Sequence, residues 1–171
     1  MGRAVGSGSD WSAVRTRPEP TLIQGWHQHG KVGNMSVPYS FTPGEVIEGR
    51  KMLIERIGHA KARKDGSFSG DPFVTYEELV SNAGYHIEDE YDGDRAGNLA
   101  GEISKLEHES GGPLLSATVV NADSRIPGHG FFALAGALGM LAKSRYDVNG
   151  TEEMAFHADQ VCACVLKYGR K

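Results

Sequence analysis

Apolar residues recur at helical spacing in several separate stretches, and most of these begin at a recognisable cap. In "TPGE", Thr42 stands as N-cap, Pro43 at the first helical position and Glu45 at the third, the pattern of a capping box. Val46, Leu53, Ile54, Ile57 and Ala60 then share one face, which predicts a helix running to about Lys64. A second capping box, Thr75 with Glu78, opens a short helix with Tyr76, Leu79, Val80 and Ala83 inward, and Gly84 suits its C-terminal end. A third helix is predicted over 95–109, with Ala96, Leu99, Ala100, Ile103 and Leu106 inward and Gly111–Gly112 as its stop. "LLSATVVN" (114–121) lacks polar–apolar alternation and predicts a strand buried on both faces. Phe131, Leu134, Ala135, Leu138 and Leu141 mark a fourth helix. A last one is capped at Thr151, with Met154, Ala158, Val161, Cys162 and Val165 inward. "KDGSFSGDPF", "HIEDEYDGD" and "NADSRIPGHG" are loops on composition. In the last of these Pro127 sets a turn, and Gly128 or Gly130 supplies a positive φ or a close approach. Gly136 and Gly139 would let the fourth helix pack closely on its neighbours. The elements together predict an α-rich α/β fold with a small sheet.

Residues 1–34 break this pattern. They are rich in Gly, Ser and Pro, follow neither period, and carry Arg3, Arg15, Arg17 and Lys31 against Asp10 and Glu19. Two readings follow: a flexible tail, or an over-extended start with Met35 as the biological first residue. Either way the domain is expected over 36–171, and both tryptophans, Trp11 and Trp26, fall outside it. The net charge of −4 excludes a general basic footprint, and the cationic extension leaves the domain more acidic still. Cys162 and Cys164 make a C-x-C pair, read as two reduced thiols on a helix. The longest apolar run, Phe131 to Ala142, is too short for a membrane span, and the N-terminus lacks a signal-peptide core, so a cytoplasmic protein without a membrane partner is expected.

The order of helix, short helix, loop, helix and extended segment resembles a winged helix-turn-helix. In that layout 75–84 is the second helix, 95–109 the recognition-position helix and 113–127 the wing. From Thr75 to about Asn121 the layout is similar to the DNA-binding domain of alkylguanine-DNA alkyltransferases. The Pro-Cys-His-Arg active-site motif of those enzymes has no counterpart in "PLLSATVV", so no alkyl transfer is implied. Pro113-Leu114-Leu115-Ser116 with Pro127-Gly128-x-Gly130-Phe131-Phe132 also resembles a motif of small, largely uncharacterised bacterial and phage proteins. That resemblance implies a module and brings no reaction with it.

Charge decides how such a module would be used. Around the recognition-position helix, Arg95 and Lys105 face Asp94, Glu102, Glu107 and Glu109, and the preceding loop adds Glu88, Asp89, Glu90 and Asp92. An acidic recognition face opposes DNA and favours a protein partner, with Glu88, Asp89, Glu90 and Asp92 as its contacts. DNA binding, if present, falls to Arg63, Lys64, Arg125 and Arg145. A catalytic alternative rests on His129 with Asp123 or Glu107, groups suited to acid–base work in a small metal-assisted hydrolase, with His108 and His129 as metal ligands. His27 and His29 offer half a metal site at most. No H-E-x-x-H, Walker A or C-x-x-C motif supports a cofactor, and none is expected. The reading favoured is a small non-catalytic binding or regulatory protein, with a protein partner ahead of DNA. Arg125 and His129 are the two side chains in the 110–141 segment that packing does not call for.

Overall fold

A computed structural model describes residues 40–83, 90–142 and 150–171, with only the backbone of 90–92. The fold is helix-rich, with five α-helices and two two-stranded sheets among the described residues. Helix α1 spans Pro43–Ile57, α2 Tyr76–Asn82, α3 Glu90–Glu109, α4 His129–Ala137 and α5 Thr151–Tyr168. Strands β1 (Lys61–Ala62) and β2 (Phe68–Ser69) form an antiparallel hairpin. Strands β3 (Val74–Thr75) and β4 (Val119–Val120) pair in parallel.

Both capping boxes form. Thr42 Oγ1 accepts from the Glu45 amide at 3.2 Å while Glu45 Oε2 accepts from the Thr42 amide at 2.6 Å. Thr75 and Glu78 repeat the exchange at 3.1 and 2.7 Å. These reciprocal bonds satisfy amides that a helix start leaves without partners. Helix α1 stops at Ile57, short of the expected Lys64. The chain leaves it through Gly58 and extends into β1, because Ala60 is buried as part of the turn out of the helix and Lys61–Ala62 find partners in Ser69 and Phe68. The hairpin turn closes on Gly66, at φ +83°, and on Asp65, whose carboxylate accepts from the Ser67 amide and hydroxyl. Part of "KDGSFSGDPF" is therefore strand.

Two apolar clusters make the core. The larger gathers Leu53, Ile57, Leu79, Leu99, Ile103, Leu115 and Val165 from α1, α2, α3, α5 and the segment after α3. The smaller gathers Leu114, Ala117, Phe131, Phe132, Ala135, Leu141 and Val161. Phe68 of β2 packs against both. Helix α1 crosses α3 at Gly49, where an ideal Cβ would stand 2.8 Å from Ile103 Cδ1.

Several expectations need correcting. The run 114–121 is no continuous strand: Leu115–Thr118 coil into a 3-10 turn, and the strand is confined to Val119–Val120. Every residue from Leu114 to Val120 is nonetheless buried, which is why alternation is missing. Since β4 pairs in parallel with β3, the 113–127 segment supplies no hairpin of its own, and the winged layout is not reproduced there. The segment after β4 closes locally, with the Asn121 amide donating to Ile126 O. Helix α3 begins at Glu90, inside the acidic run read as a loop; carboxylates in a first turn suit the helix dipole.

On α3, Leu106 is 44% exposed and Glu107 is buried in its place. The face through Ala96, Ala100 and Ile103 continues geometrically to 107, eleven residues from its start, and the leucine next door misled the apolar pattern. Helix α5 shows the same offset. Glu153, His157, Val161, Cys164 and Val165 face inward, while Ala158 is exposed and Met154 and Cys162 are only half-buried. Its N-cap is Gly150, without a side-chain cap bond, and Thr151 is already helical. Neither Gly128 nor Gly130 has positive φ, but Gly128 does supply a close approach: an added Cβ would stand 3.1 Å from Tyr76 Oη. The positive φ in that segment belongs to Arg125, at +57°. Gly136 is buried in α4, but Gly139 (φ +71°) lies just past its end rather than on a packing face. The expected end of α2 at Gly84 and residues 1–34, with Met35, His27 and His29, lie outside the described residues.

Candidate functional site

Glu107 is the most heavily coordinated side chain in the described fold. Arg50 of α1 donates to its Oε2 from Nε at 2.9 Å and Nη2 at 2.7 Å. Lys167 of α5 donates to Oε1 at 2.7 Å, and the Tyr168 hydroxyl donates to the same oxygen. The glutamate side chain is 1% exposed, against 37% for Arg50 and 40% for Lys167. The carboxylate is thus a buried anion whose cations reach in from the surface. Gly112 lies against it, close enough that an ideal Cβ would overlap the carboxylate. Burial alone would raise the Glu107 pKa, but the bonds from Lys167, Tyr168 and Arg50 outweigh it and bring the value down to about 2. A group ionised throughout the physiological range, with both oxygens occupied, is a poor proton donor or acceptor. Its position ties α1, α3 and α5 together.

The other members of the catalytic alternative sit at the surface. Asp123 is exposed in the turn at 122–124. His129 is exposed at the first position of α4, and His108 is half-buried at the end of α3. Among the described residues, no group of three His, Cys, Asp or Glu side chains is placed to hold a metal ion.

Arg125 has a structural role. Its Nη2 lies 2.7 Å from both oxygens of Asp71, and its guanidinium stands 5.1 Å from the centre of the Phe73 ring. Burial pushes the Asp71 carboxyl up, yet the Arg125 bond and the Phe73 amide carry it below its usual value. The positive φ aims this side chain back across the loop, so Arg125 staples 121–126 to the segment before β3.

The remaining candidates divide sharply. Arg63 and Lys64 are exposed on the β1–β2 hairpin rather than at a helix end. The hairpin also brings in Lys61, which sequence reasoning left in the helix, and Arg170, which it did not single out. Arg170 bridges in parallel to Lys61, its amide donating to Ala60 O at 2.8 Å and its guanidinium to His59 O at 3.0 Å. No local signal could disclose a contact across that sequence separation. Lys171 follows directly. Arg145, Glu88 and Asp89 lie outside the described residues; Glu90 and Asp92 belong to the first turns of α3, where the backbone alone is described.

A partition emerges among the cations. Every other described lysine and arginine has a carboxylate within 4 Å. Among the described residues Lys61, Arg63, Lys64, Arg170 and Lys171 have none. The unpaired cations therefore collect on one edge, made of the hairpin and the strand-like segment beside it. The carboxylate within the hairpin, Asp65, is engaged by Ser67 in the turn.

Buried polar groups elsewhere serve packing. Ser104 donates to Ser116 Oγ at 2.7 Å and its own oxygen accepts from the Ser116 amide at 2.7 Å, locking α3 to the 3-10 turn. His157 Nε2 donates to Ala117 O at 2.9 Å, and burial holds its pKa below the usual imidazole value. Burial drives the Cys164 thiol up to about 12, an inert thiol under the core; Cys162 donates from Sγ to Gly66 O at 3.4 Å, fastening the hairpin turn to α5. No helix among the described residues is long and apolar enough to cross a membrane. No protein-family model, curated protein or solved structure matches this chain.

Proposed function

We propose that this chain is a small non-catalytic binding protein and that its contact surface is the basic edge built from the β1–β2 hairpin and Arg170–Lys171. The observation that carries this reading is the partition of cations: ion-paired throughout the helical body, unpaired on that edge. Like charges on adjacent strand positions repel, so Lys61 beside Arg170 costs stability in the free protein. An anionic partner would remove that cost. The rest of the domain over 36–171 is acidic, which orients approach: within the domain a polyanion is drawn to this edge. The reading does not use the recognition-helix geometry of a winged helix, because α3 presents Asp94, Glu102 and Glu109 outward. The protein contact expected at Glu88–Asp92 rests on composition alone.

The test is retention on an immobilised sulfated polysaccharide. Charge reversal of Lys61 and Lys64 to glutamate abolishes retention. The matched reversal of Lys51 and Lys105, exposed cations that the fold already pairs, does not. Equal losses from both variants refute the basic edge as the contact surface.

A further inference from the structure

We infer that the partner of this basic edge is the phosphate backbone of duplex nucleic acid, bound without base readout. The inference rests on the proposal that the basic edge is the contact surface, and it names what that surface takes. Three features of the edge choose among anionic partners.

The first is what faces outward. Along β1 and its continuation, side chains alternate. Ala62 packs inward beside its partner Phe68, so Lys61 and Arg63 share the outer face, about 6.6 Å apart along the strand. Lys64 stands at the turn, and Arg170 lies on the neighbouring strand position, about 4.8 Å from Lys61. The result is a short two-dimensional array of point charges and guanidinium groups, the kind of surface that contacts phosphate and fixes orientation without reading sequence.

The second is what does not face outward. The hairpin's one aromatic, Phe68, is turned into both core clusters. A specific protein partner needs an apolar or aromatic anchor at the centre of the interface, and none lies in this array. A single strand gains much of its affinity from bases stacked on several aromatic rings. The cations of this array have one imidazole beside them, exposed His59, and no Phe, Tyr or Trp among them. A duplex, with its bases stacked internally and its phosphates outward, needs neither.

The third is rigidity. The hairpin is held at its strands by Phe68, at its turn by Cys162 on Gly66, and at its outer edge by the Arg170 amide on Ala60. A preorganised array loses little conformational entropy on binding.

Fluorescence anisotropy of the full chain with a labelled, mixed-sequence DNA duplex tests this, alongside the same single strand and poly-glutamate. Expected are saturable duplex binding at low salt and a log–log salt slope of about −4 for four to five phosphate contacts, which weakens binding a few hundred-fold between about 50 and 200 mM salt. Expected too are a loss of at least about tenfold in the K61E/R63E/K64E variant with a thermal melt no lower than that of the wild type, and retention in K61R/R63K/K64R. If the triple variant melts early, Lys64→Glu alone at the exposed turn carries the same comparison. Absence of duplex binding at low salt overturns the inference, as does binding that the reversals leave intact. Single-strand binding tighter than duplex binding also overturns it. Poly-glutamate binding as tight as duplex binding, lost on charge reversal, overturns the nucleic-acid assignment while leaving the basic edge as the contact surface.

Discussion

At position 107 a charged residue does the work of a core residue. Glu107 is as buried as the leucines around it, and it is tolerable there because Arg50, Lys167 and Tyr168 supply donors to both of its oxygens. Glu107→Gln keeps the shape and removes the charge. It is expected to destabilise the fold by about 2–3 kcal/mol at neutral pH, because Arg50 and Lys167 are over a third exposed and regain water when the anion is lost. The pH dependence has a definite sign. The folded pKa lies near 2, below the ordinary value of 4.5, so the stabilisation is complete above about pH 4.5 and is lost as pH falls toward 2. Urea titrations of both proteins across that range should converge at the acid end. A gap that persists at pH 2 would assign the loss to packing and not to charge.

At the scale of elements, two glycines in the hairpin separate two kinds of constraint. Gly66 and Gly70 both have positive φ, at +83° and +89°. An added Cβ at Gly66 meets nothing within 4 Å, whereas at Gly70 it would stand 2.6 Å from the His59 carbonyl oxygen. Gly66→Ala should therefore cost about 1 kcal/mol for backbone conformation alone, and Gly70→Ala clearly more, since the backbone must also move. Denaturant midpoints that rank the two equally would contradict this. The same contrast marks what sequence could disclose. Capping boxes, helix faces near their starts, and the Gly111–Gly112 stop are set by neighbours a few residues away and were legible at Thr42, Thr75 and Gly111. The hairpin was not, because Lys61 is extended only through Ser69 and the distant Arg170. Glu107, His157 and Cys164 were missed for another reason. They continue the buried faces geometrically, but a polar or thiol side chain is passed over by an apolar pattern when its partners come from distant parts of the chain.

Over the whole molecule, charge is sorted as well as balanced. The candidates for catalysis separate in the same way: Glu107 is locked into the interior, Arg125 staples a loop, and Asp123 and His129 lie at the surface. Acid should loosen this arrangement in two stages. His157 is neutral in the fold, its pKa lowered first by burial and only partly restored by the bond to Ala117. An imidazole whose folded pKa is depressed draws stability out of the protein as pH falls below the ordinary value of 6.5, because the unfolded chain takes up the proton first. Glu107 adds its share below about pH 4.5. Replacing His157 with glutamine should flatten the stability profile just below pH 6.5 and leave the lower stage in place. A thermal-melt series over pH 7 to 3 reads both, and a wild-type profile level down to pH 5 would remove the His157 stage.

The contact between Gly112 and Glu107 makes those two positions interdependent in mutation. Any side chain at 112 collides with Glu107 as it stands, with its Cγ as well as its carboxylate, so alanine there is forbidden for as long as the 107 side chain reaches past Cβ in this pose. Shortening 107 to aspartate leaves Cγ in the way, 2.7 Å from that Cβ, whereas alanine at 107 removes every side-chain atom in the clash. Gly112→Ala should thus be harmful alone and add little beside Glu107→Ala, a sign of epistasis that a double-mutant cycle reads as a favourable coupling. Substitutions that helix ends ordinarily absorb would be filtered here by the identity of a residue five positions earlier.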